Sequence, residues 1–419
     1  MTMHRKESKS VKLNRLAGLM IFVILLSACS GPDDGNLPLI SNGHSTRESR
    51  SDPMEEAIEQ RCKEITSMYY DLYVSADKTE PQSQWEDLVL SQDSIDIIEN
   101  HLLDAGFDVI DTNGAYPSYL VTADRFYSFW NDVNQGKNAE QEIIKIRENG
   151  SLSYRFFIHK EGTTYVYSMG YPMDGGSVIH YEKYKVLDWE LTERGNFYYR
   201  IYPAGNKSYS DYALIRMVEP DLELCDLTMK YIWAGGYVGT NIFLIDWTED
   251  DFGDLSFNDL FESLYYDCNG NQFSPEGYEY IIEQDCCMIP AAEFEAVVRP
   301  YFDIDMEVFR EMARYDVNED TYPWRQIQSN DFVFLYYYMV EPEVTEYKVN
   351  SDGTITLTVE MLSTDLATDC LFAHELTVRP LDNGKFQFVG NRITYQTEYG
   401  LPFCEPRRKR TTIRTLTHN

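Results

Sequence analysis

From Ile58 onward apolar residues recur at helical spacing: Ile58, Cys62, Ile65, Tyr69 and Leu72 fall three and four apart. That is the stripe of an amphipathic helix with one face turned to a core, and it places Cys62 inside that core. Ile95, Ile98 and Leu102 predict a second helix stopped by Gly106. Phe126, Phe129, Trp130 and Val133 predict a third, opened by Thr122 as N-cap and closed by Gly136. Beyond Gly136 the period drops toward two. Strands are expected over 154–160, 163–171, 178–190 and 196–202, joined by Glu161-Gly162, Asp174-Gly175-Gly176 and Arg194-Gly195-Asn196. Turns this short pair neighbouring strands antiparallel, as a meander. Helices followed by a meander predict an α+β domain in which the helices cover one face of the sheet.

The pattern then repeats at the level of elements, though not of residues. In Asp254 to Asp267, DLSFNDLFESLYYD, Ser256 is placed to cap a helix with Asp259 three residues on, and Leu255 to staple against Leu260. Pro290 opens a helix whose Phe294, Val297 and Val298 face inward and which Pro300 ends, and Met306, Phe309 and Ala313 mark another. Ile355, Leu357, Val359 and Met361 alternate with Thr354, Thr356, Thr358 and Glu360, the period of a strand with one face in a core. Asp352-Gly353 and Asp382-Asn383-Gly384 read as hairpin turns. The expectation is an α+β protein of two units, each with helices packed on an antiparallel meander: an N-terminal domain over 54–218, a mainly helical or irregular connecting region over 219–288, a C-terminal domain over 289–400 and a basic tail over 401–419.

The first 53 residues have a different character. Arg5, Lys6, Lys9, Lys12 and Arg15 precede an uninterrupted apolar run from Leu16 to Leu26, the n-region and h-region of a secretory signal and too short for a comfortable permanent span, which takes about 20 residues. The run ends Leu26-Ser27-Ala28-Cys29, which resembles the lipobox of bacterial lipoproteins. The resemblance implies cleavage between Ala28 and Cys29, a signal peptide over 1–28, and a diacylglyceryl group on the Cys29 thiol, with palmitate-type chains holding the protein on a membrane. Two acyl chains hold where one would only visit, at roughly 0.8 kcal/mol per buried methylene. Residues 29–53, rich in Ser, Gly, Pro, Asn and charge, are expected to be a flexible tether.

Charge narrows the partners. The formal net charge of −33 becomes −37 once the five basic residues and one acidic residue of 1–28 are removed. Such an exterior excludes nucleic-acid binding as the main activity, because phosphate backbones are met by clustered Lys and Arg. Thirty-two tyrosines suit both half-buried β surfaces and sugar-stacking sites. Besides Cys29 there are Cys62, Cys225, Cys268, Cys286, Cys287, Cys370 and Cys404, an odd number without a CxxC pair, expected mostly as buried thiols.

Catalytic templates are missing. His101, His159, His180 and His374 belong to no HExxH, and the chain has no GxSxG, Walker loop or GxGxxG. His374 shares its strand parity with Phe372, Leu376 and Val378, as a satisfied core histidine would. His180 and Glu182 share a face and could meet His159 across the meander. Asp316-Val-Asn318-Glu-Asp320 begins like a calcium loop but has Thr321 and Ile327 where Gly and Glu are needed. Asp246, Glu249, Asp250, Asp251 and Asp254 read as a solvated acidic loop. No metal or other cofactor is expected, and no catalytic residue is assigned. Arg407-Arg408-Lys409-Arg410 and Arg414 read as a basic terminus, solvated in preference to folding onto the chain's own acidic surface or touching anionic headgroups.

Three stretches, Tyr231 to Tyr266, Ile289 to Phe302 and His374 to Ile393, resemble a family of uncharacterised lipoproteins from clostridial-type Gram-positive bacteria, defined by a domain of unknown function. The resemblance implies anchoring on the outer, extracytoplasmic face of the cell membrane and carries no activity with it. The expectation is a non-enzymatic surface lipoprotein binding an envelope protein or glycan. The alternative is a carbohydrate-binding protein or glycan-active hydrolase using Trp233 and Trp247 as stacking platforms, with converging carboxylates of perturbed pKa if it is an enzyme.

Overall fold

The computed structural model describes residues 53–79, 88–114, 116–173, 176–203, 211–327, 340–401 and 406–407. Ala28, Cys29, nearly all of the expected tether, Cys404 and Arg408 onward lie outside them. The described chain divides into two compact units, one running to Pro220 and the other beginning at Asp221.

In the N-terminal unit, α1 (Pro53–Ser75) starts with proline at its first position, where the missing N–H costs nothing. Its stripe of Ile58, Cys62, Ile65 and Tyr69 is buried, and the Tyr69 hydroxyl donates to the Gly150 carbonyl at 3.1 Å. A small hairpin, β1 (Lys78–Thr79) with β2 (Val89–Leu90), leads to α2 (Gln92–Asp104), where Ser91 Oγ accepts from the Ser94 amide at 3.3 Å. β3 (Val109–Ile110) follows, then α3 (Asp124–Asn134). The N-cap position of α3 is Ala123 and has no side-chain cap. Thr122 hydrogen-bonds Asp108 Oδ1 at 3.0 Å instead.

Six strands come next: β4 (Ala139–Ile146), β5 (Leu152–Lys160), β6 (Thr163–Tyr171), β7 (His180–Leu191), β8 (Asn196–Pro203) and β9 (Asp211–Arg216). They pair antiparallel in sequence order, and β3 joins β4 in parallel. Glu161 and Gly162 both have positive φ, 52° and 74°, as the two-residue turn of a tightly twisted hairpin requires. The meander expected from the sequence is therefore present, extended by β3, β4 and β9.

The sheet also closes on itself. The Leu120 amide bonds the Arg216 carbonyl at 2.8 Å, while Asp111 N–H to Tyr119 O (2.9 Å) and Val121 N–H to Val109 O (3.0 Å) tie the same segment to β3. Residues 119–121 thus bridge β9 to β3 and complete a ring. Helices lie on both faces of it, not on one. α1 and α2 cover the outside of β3 to β6 through Ile144, Ile146, Leu152, Tyr154 and Met169. α3 packs with Ile143, Phe157, Val166, Val186, Phe197 and Ile215, residues pointing inward from around the ring. Phe126 meets Phe157 and Phe197 edge-on, with centroids 5.6 and 4.8 Å away. Each such fully buried ring contributes roughly 1.5–3 kcal/mol. Closure is the reason: a ring has an inside to fill, and α3 supplies the bulk.

In the C-terminal unit, Asp221 caps α4 (Leu222–Leu227), accepting from the Glu223 amide at 2.9 Å. The chain continues through a π turn at Thr228–Ile232 into α5 (Trp233–Gly235), then β10 (Trp247–Thr248) and α6 (Phe257–Asn269), which Gly270 ends at φ +69°. β11 (Glu279–Ile281), β12 (Cys286–Pro290) and, after α7 (Ala291–Val298) and α8 (Met306–Met312), β13 (Thr321–Trp324) form a three-stranded sheet. β14 (Val340–Val349), β15 (Ile355–Ser363), β16 (Phe372–Pro380) and β17 (Phe386–Gln396) form an antiparallel sheet, with β10 added beside β17. The region 219–288, expected as a connection, puts Tyr231, Ile232, Phe243, Phe257 and Phe261 into the same core as Phe294, Trp324, Leu357 and Phe388. Phe261 stacks on Phe294 at 5.1 Å, and Phe294 stacks on Tyr322 at 4.5 Å.

Two expectations at the ends of this unit are corrected. Ser256 sits at the N-cap position of α6 but makes no side-chain cap, and its buried Oγ has no partner among the described residues. Asp259, expected to complete a capping box, is held by Arg407. Nor is Arg407 solvated: it is 4% exposed, with its Nε 3.3 Å from Asp259 Oδ1 and its Nη1 3.3 Å from Glu262 Oε2.

Candidate functional site

His374 is the core histidine its parity indicates. The Tyr237 hydroxyl lies 2.5 Å from Nε2, Nδ1 lies 2.6 Å from Asn391 Oδ1, and Asn391 Nδ2 donates to the Ile245 carbonyl at 2.8 Å. This geometry suits a neutral ring with the proton on Nδ1, accepting the tyrosine hydrogen at Nε2. Burial holds its pKa down to about 4.

His180 and His159 do not meet. His159 pairs with Thr164 in the register and bonds its hydroxyl at 2.7 Å, whereas His180 pairs with Gly170. Six residues along β6 separate those positions by about 20 Å. The acidic loop is engaged rather than wholly solvated: Glu249 takes Arg379 Nη2 at 2.9 Å through both oxygens, and Asp246 Oδ1 accepts from the Ile393 amide at 2.7 Å. Asp316 accepts from the amides of Asn318 and Glu319, closing a local turn. Among the described residues no group of three His, Cys, Asp or Glu side chains is arranged to hold a metal.

Trp247 cannot serve as a sugar platform. It is buried, its Nε1 donates to the Ile242 carbonyl at 2.7 Å, and its ring stacks on Phe252. Trp233 is 42% exposed. One pair of carboxylates is perturbed: burial, with the Asp111 charge nearby, pushes Glu99 up to about 8, and burial raises Asp111 as well. Glu99 is 4% exposed, and its Oε1 accepts from the Thr112 amide at 3.0 Å. This carboxyl is sealed in the packing of α2 against β3, not presented to a substrate.

The arrangement the sequence did not reveal is inside the ring. Residues two apart on a strand share a face, so Lys145 points inward with Ile143, and Ser153 and Arg155 with Phe157, while Arg147 opens the turn from β4 to β5, where its charge acts on His180. The register carries the row across the sheet: Lys145 opposite Ser153, Ser153 opposite Gly170, Gly170 opposite His180, and beside it Arg155 opposite Ser168 and Ser168 opposite Glu182. One end of the interior is thus apolar and filled by α3; the other carries Lys145, Arg147, Arg155 and His180, all half-buried.

Contacts within this end are specific. Lys145 Nζ donates to Ser118 Oγ at 2.9 Å, and Ser168 Oγ lies 3.3 Å from His180 Nε2. Gly170 leaves the space that the His180 ring occupies, since a Cβ there would meet Nδ1 at 2.6 Å. Burial, followed by the Arg155 charge, pulls the Lys145 ammonium below its ordinary pKa, and burial, followed by Arg147, does the same to His180. Glu182, the carboxylate in this register row, accepts the Tyr184 hydroxyl. The signal available in the sequence was polar residues on the inward parity of otherwise apolar strands, but inward is undefined until the ring closes.

No curated protein and no solved structure matches the chain. The model of one protein family does, over residues 55–407, covering most of the length and both units. The chain belongs to that family, DUF6070, a family of unknown function.

Proposed function

We propose that the chain is a lipid-anchored protein of the extracytoplasmic membrane face, cleaved between Ala28 and Cys29 and acylated on Cys29, that displays two α+β units and works by binding rather than by catalysis. The observation that carries this reading is the agreement of three independent features on one position: a basic n-region, an eleven-residue apolar run from Leu16 to Leu26, and Leu26-Ser27-Ala28-Cys29 at its end. The family match begins at residue 55, after the expected leader and tether, in keeping with those segments carrying the address and the remainder the binding. A Gram-positive, clostridial-type setting and an envelope protein or glycan as partner belong to the same proposal.

Metabolic labelling with palmitate tests the anchor. Label is expected in the parent chain and absent from Cys29→Ser, which should leave the detergent phase for the aqueous phase. An unlabelled parent, or a serine variant that still partitions into detergent, overturns the proposal.

A further inference from the structure

We propose that the polar end of the ring interior in the N-terminal unit is a binding site for a small, multiply charged oxyanion, a phosphate or polycarboxylate, held by Lys145, Arg147, Arg155 and His180 with the hydroxyls of Ser153 and Ser168. The proposal deepens the binding function above by naming a ligand class.

The chain carries 69 acidic and 36 basic residues, and other arginines use that surplus. Arg61 reaches Glu142 at 2.9 Å, Arg310 reaches Glu295 at 3.0 Å and Arg379 reaches Glu249 at 2.9 Å. Arg147 and Arg155 do not: among the described residues, neither has a carboxylate in ion-pair range. They are held half-buried on a surface shared with a lysine and a histidine, where Glu99, Asp111 and Glu148 near Lys145 and Glu182 near His180 offset only part of the repulsion and an anion would offset the rest. Lys145 and His180 both sit below their ordinary pKa values, first because of burial and then because of Arg155 and Arg147 respectively.

Geometry selects the ligand. Neighbouring strands are about 4.8 Å apart, so the row from Lys145 across Ser153 and Gly170 to His180 spans about 14 Å, with Arg155 and Ser168 in the adjoining row. Long cationic side chains can converge from that frame on one small ligand. Guanidinium groups bind phosphate and carboxylate oxygens through paired N–H donors, and serine hydroxyls add donors from the floor. Gly170 keeps the floor low where the imidazole lies.

The test uses the purified full chain, titrated with inorganic phosphate and separately with citrate at constant ionic strength balanced by chloride. Thermal unfolding and the NMR titration of His180 are the readouts. A saturable rise in melting temperature is expected with at least one of the two anions, together with an upward shift of the His180 pKa. The response should fall at least tenfold in affinity in Arg155→Gln and in Lys145→Gln, variants that remove the charge and keep a polar side chain. Phosphate and citrate responses distinguish the two ligand chemistries. No response beyond chloride with either anion, or a response unchanged in both variants, overturns the site. Because the assay does not involve acylation, a missing anion response in a palmitate-labelled chain overturns the site alone, and an unlabelled chain that binds anion overturns the anchor alone.

Discussion

Arg407 and Asp259, 148 residues apart in the chain, form a buried ion pair in which both side chains are 3% exposed. The guanidinium Nε faces Asp259 Oδ1, Nη2 donates to the Asp259 carbonyl at 2.7 Å, the Arg407 amide bonds Oδ2 at 3.2 Å, and Arg325 Nη1 donates to the Arg407 carbonyl at 2.9 Å. A segment read from sequence as part of a solvated terminus is therefore fastened to the first turn of α6.

Breaking that pair by removing one partner should be expensive, because Asp259 would be left charged and buried. Arg407→Ala is expected to destabilise the C-terminal unit by about 3–5 kcal/mol, read as a lower urea midpoint. Arg407→Met combined with Asp259→Asn should recover much of the loss, since it removes both charges. Equal stability of Arg407→Ala and the parent would show that the pair contributes nothing.

Glu99 should make the N-terminal unit less stable as pH rises. Its folded pKa of about 8 lies above the ordinary carboxylate value of 4.5, so between those values the folded state holds the extra proton and stability falls with increasing pH. Glu99→Gln removes the penalty and keeps an acceptor for the Thr112 amide. It is expected to leave stability unchanged near pH 4 and to raise it by a few kcal/mol at most near pH 8, measured by denaturant unfolding at both pH values.

His374 has the opposite sign. Its folded pKa, about 4, lies below the ordinary imidazole value of 6.5. The unfolded chain therefore takes up the proton first, and stability is lost as pH falls from 6.5 toward 4. The C-terminal unit should weaken over that window, and the His374 ring should show no protonation shift by NMR above pH 5. A ring titrating near 6.5 would contradict the buried Tyr237–His374–Asn391 chain.

Thiol chemistry should follow burial. Cys268 is exposed, whereas Cys62 is buried and its pKa is pushed up to about 12, chiefly by that burial. With a soluble alkylating reagent and site-resolved mass spectrometry, Cys268 is expected to be modified before unfolding and Cys62 only with it. Equal rates at the two positions would place Cys62 outside the core.

What was legible in the sequence was local. The stripe of α1 from Ile58 to Tyr69, the alternation in β15 from Leu357 to Met361 and the Glu161-Gly162 turn each depend on neighbours a few residues away, and each appears as read. What depended on closure or on distant partners was not legible. Nothing near Tyr119 announces that it will bridge β9 to β3, and that bridge is what turns Lys145 and Arg155 inward. Thr122 and Ser256 are sound capping residues by type, yet Thr122 bonds Asp108 and Asp259 goes to Arg407. In both places a distant partner outweighed the local rule. Cys29 lies outside the described residues, so its reading rests on sequence pattern alone.

The segment from Tyr119 to Val121 does more than complete a circle of hydrogen bonds. An open sheet ends in rows of amides and carbonyls that a neighbouring chain can extend, and crowding makes that extension more frequent. By meeting β3 and the Arg216 end of β9, three residues take up part of both margins of the N-terminal unit's largest sheet and leave a neighbouring copy less to knit onto.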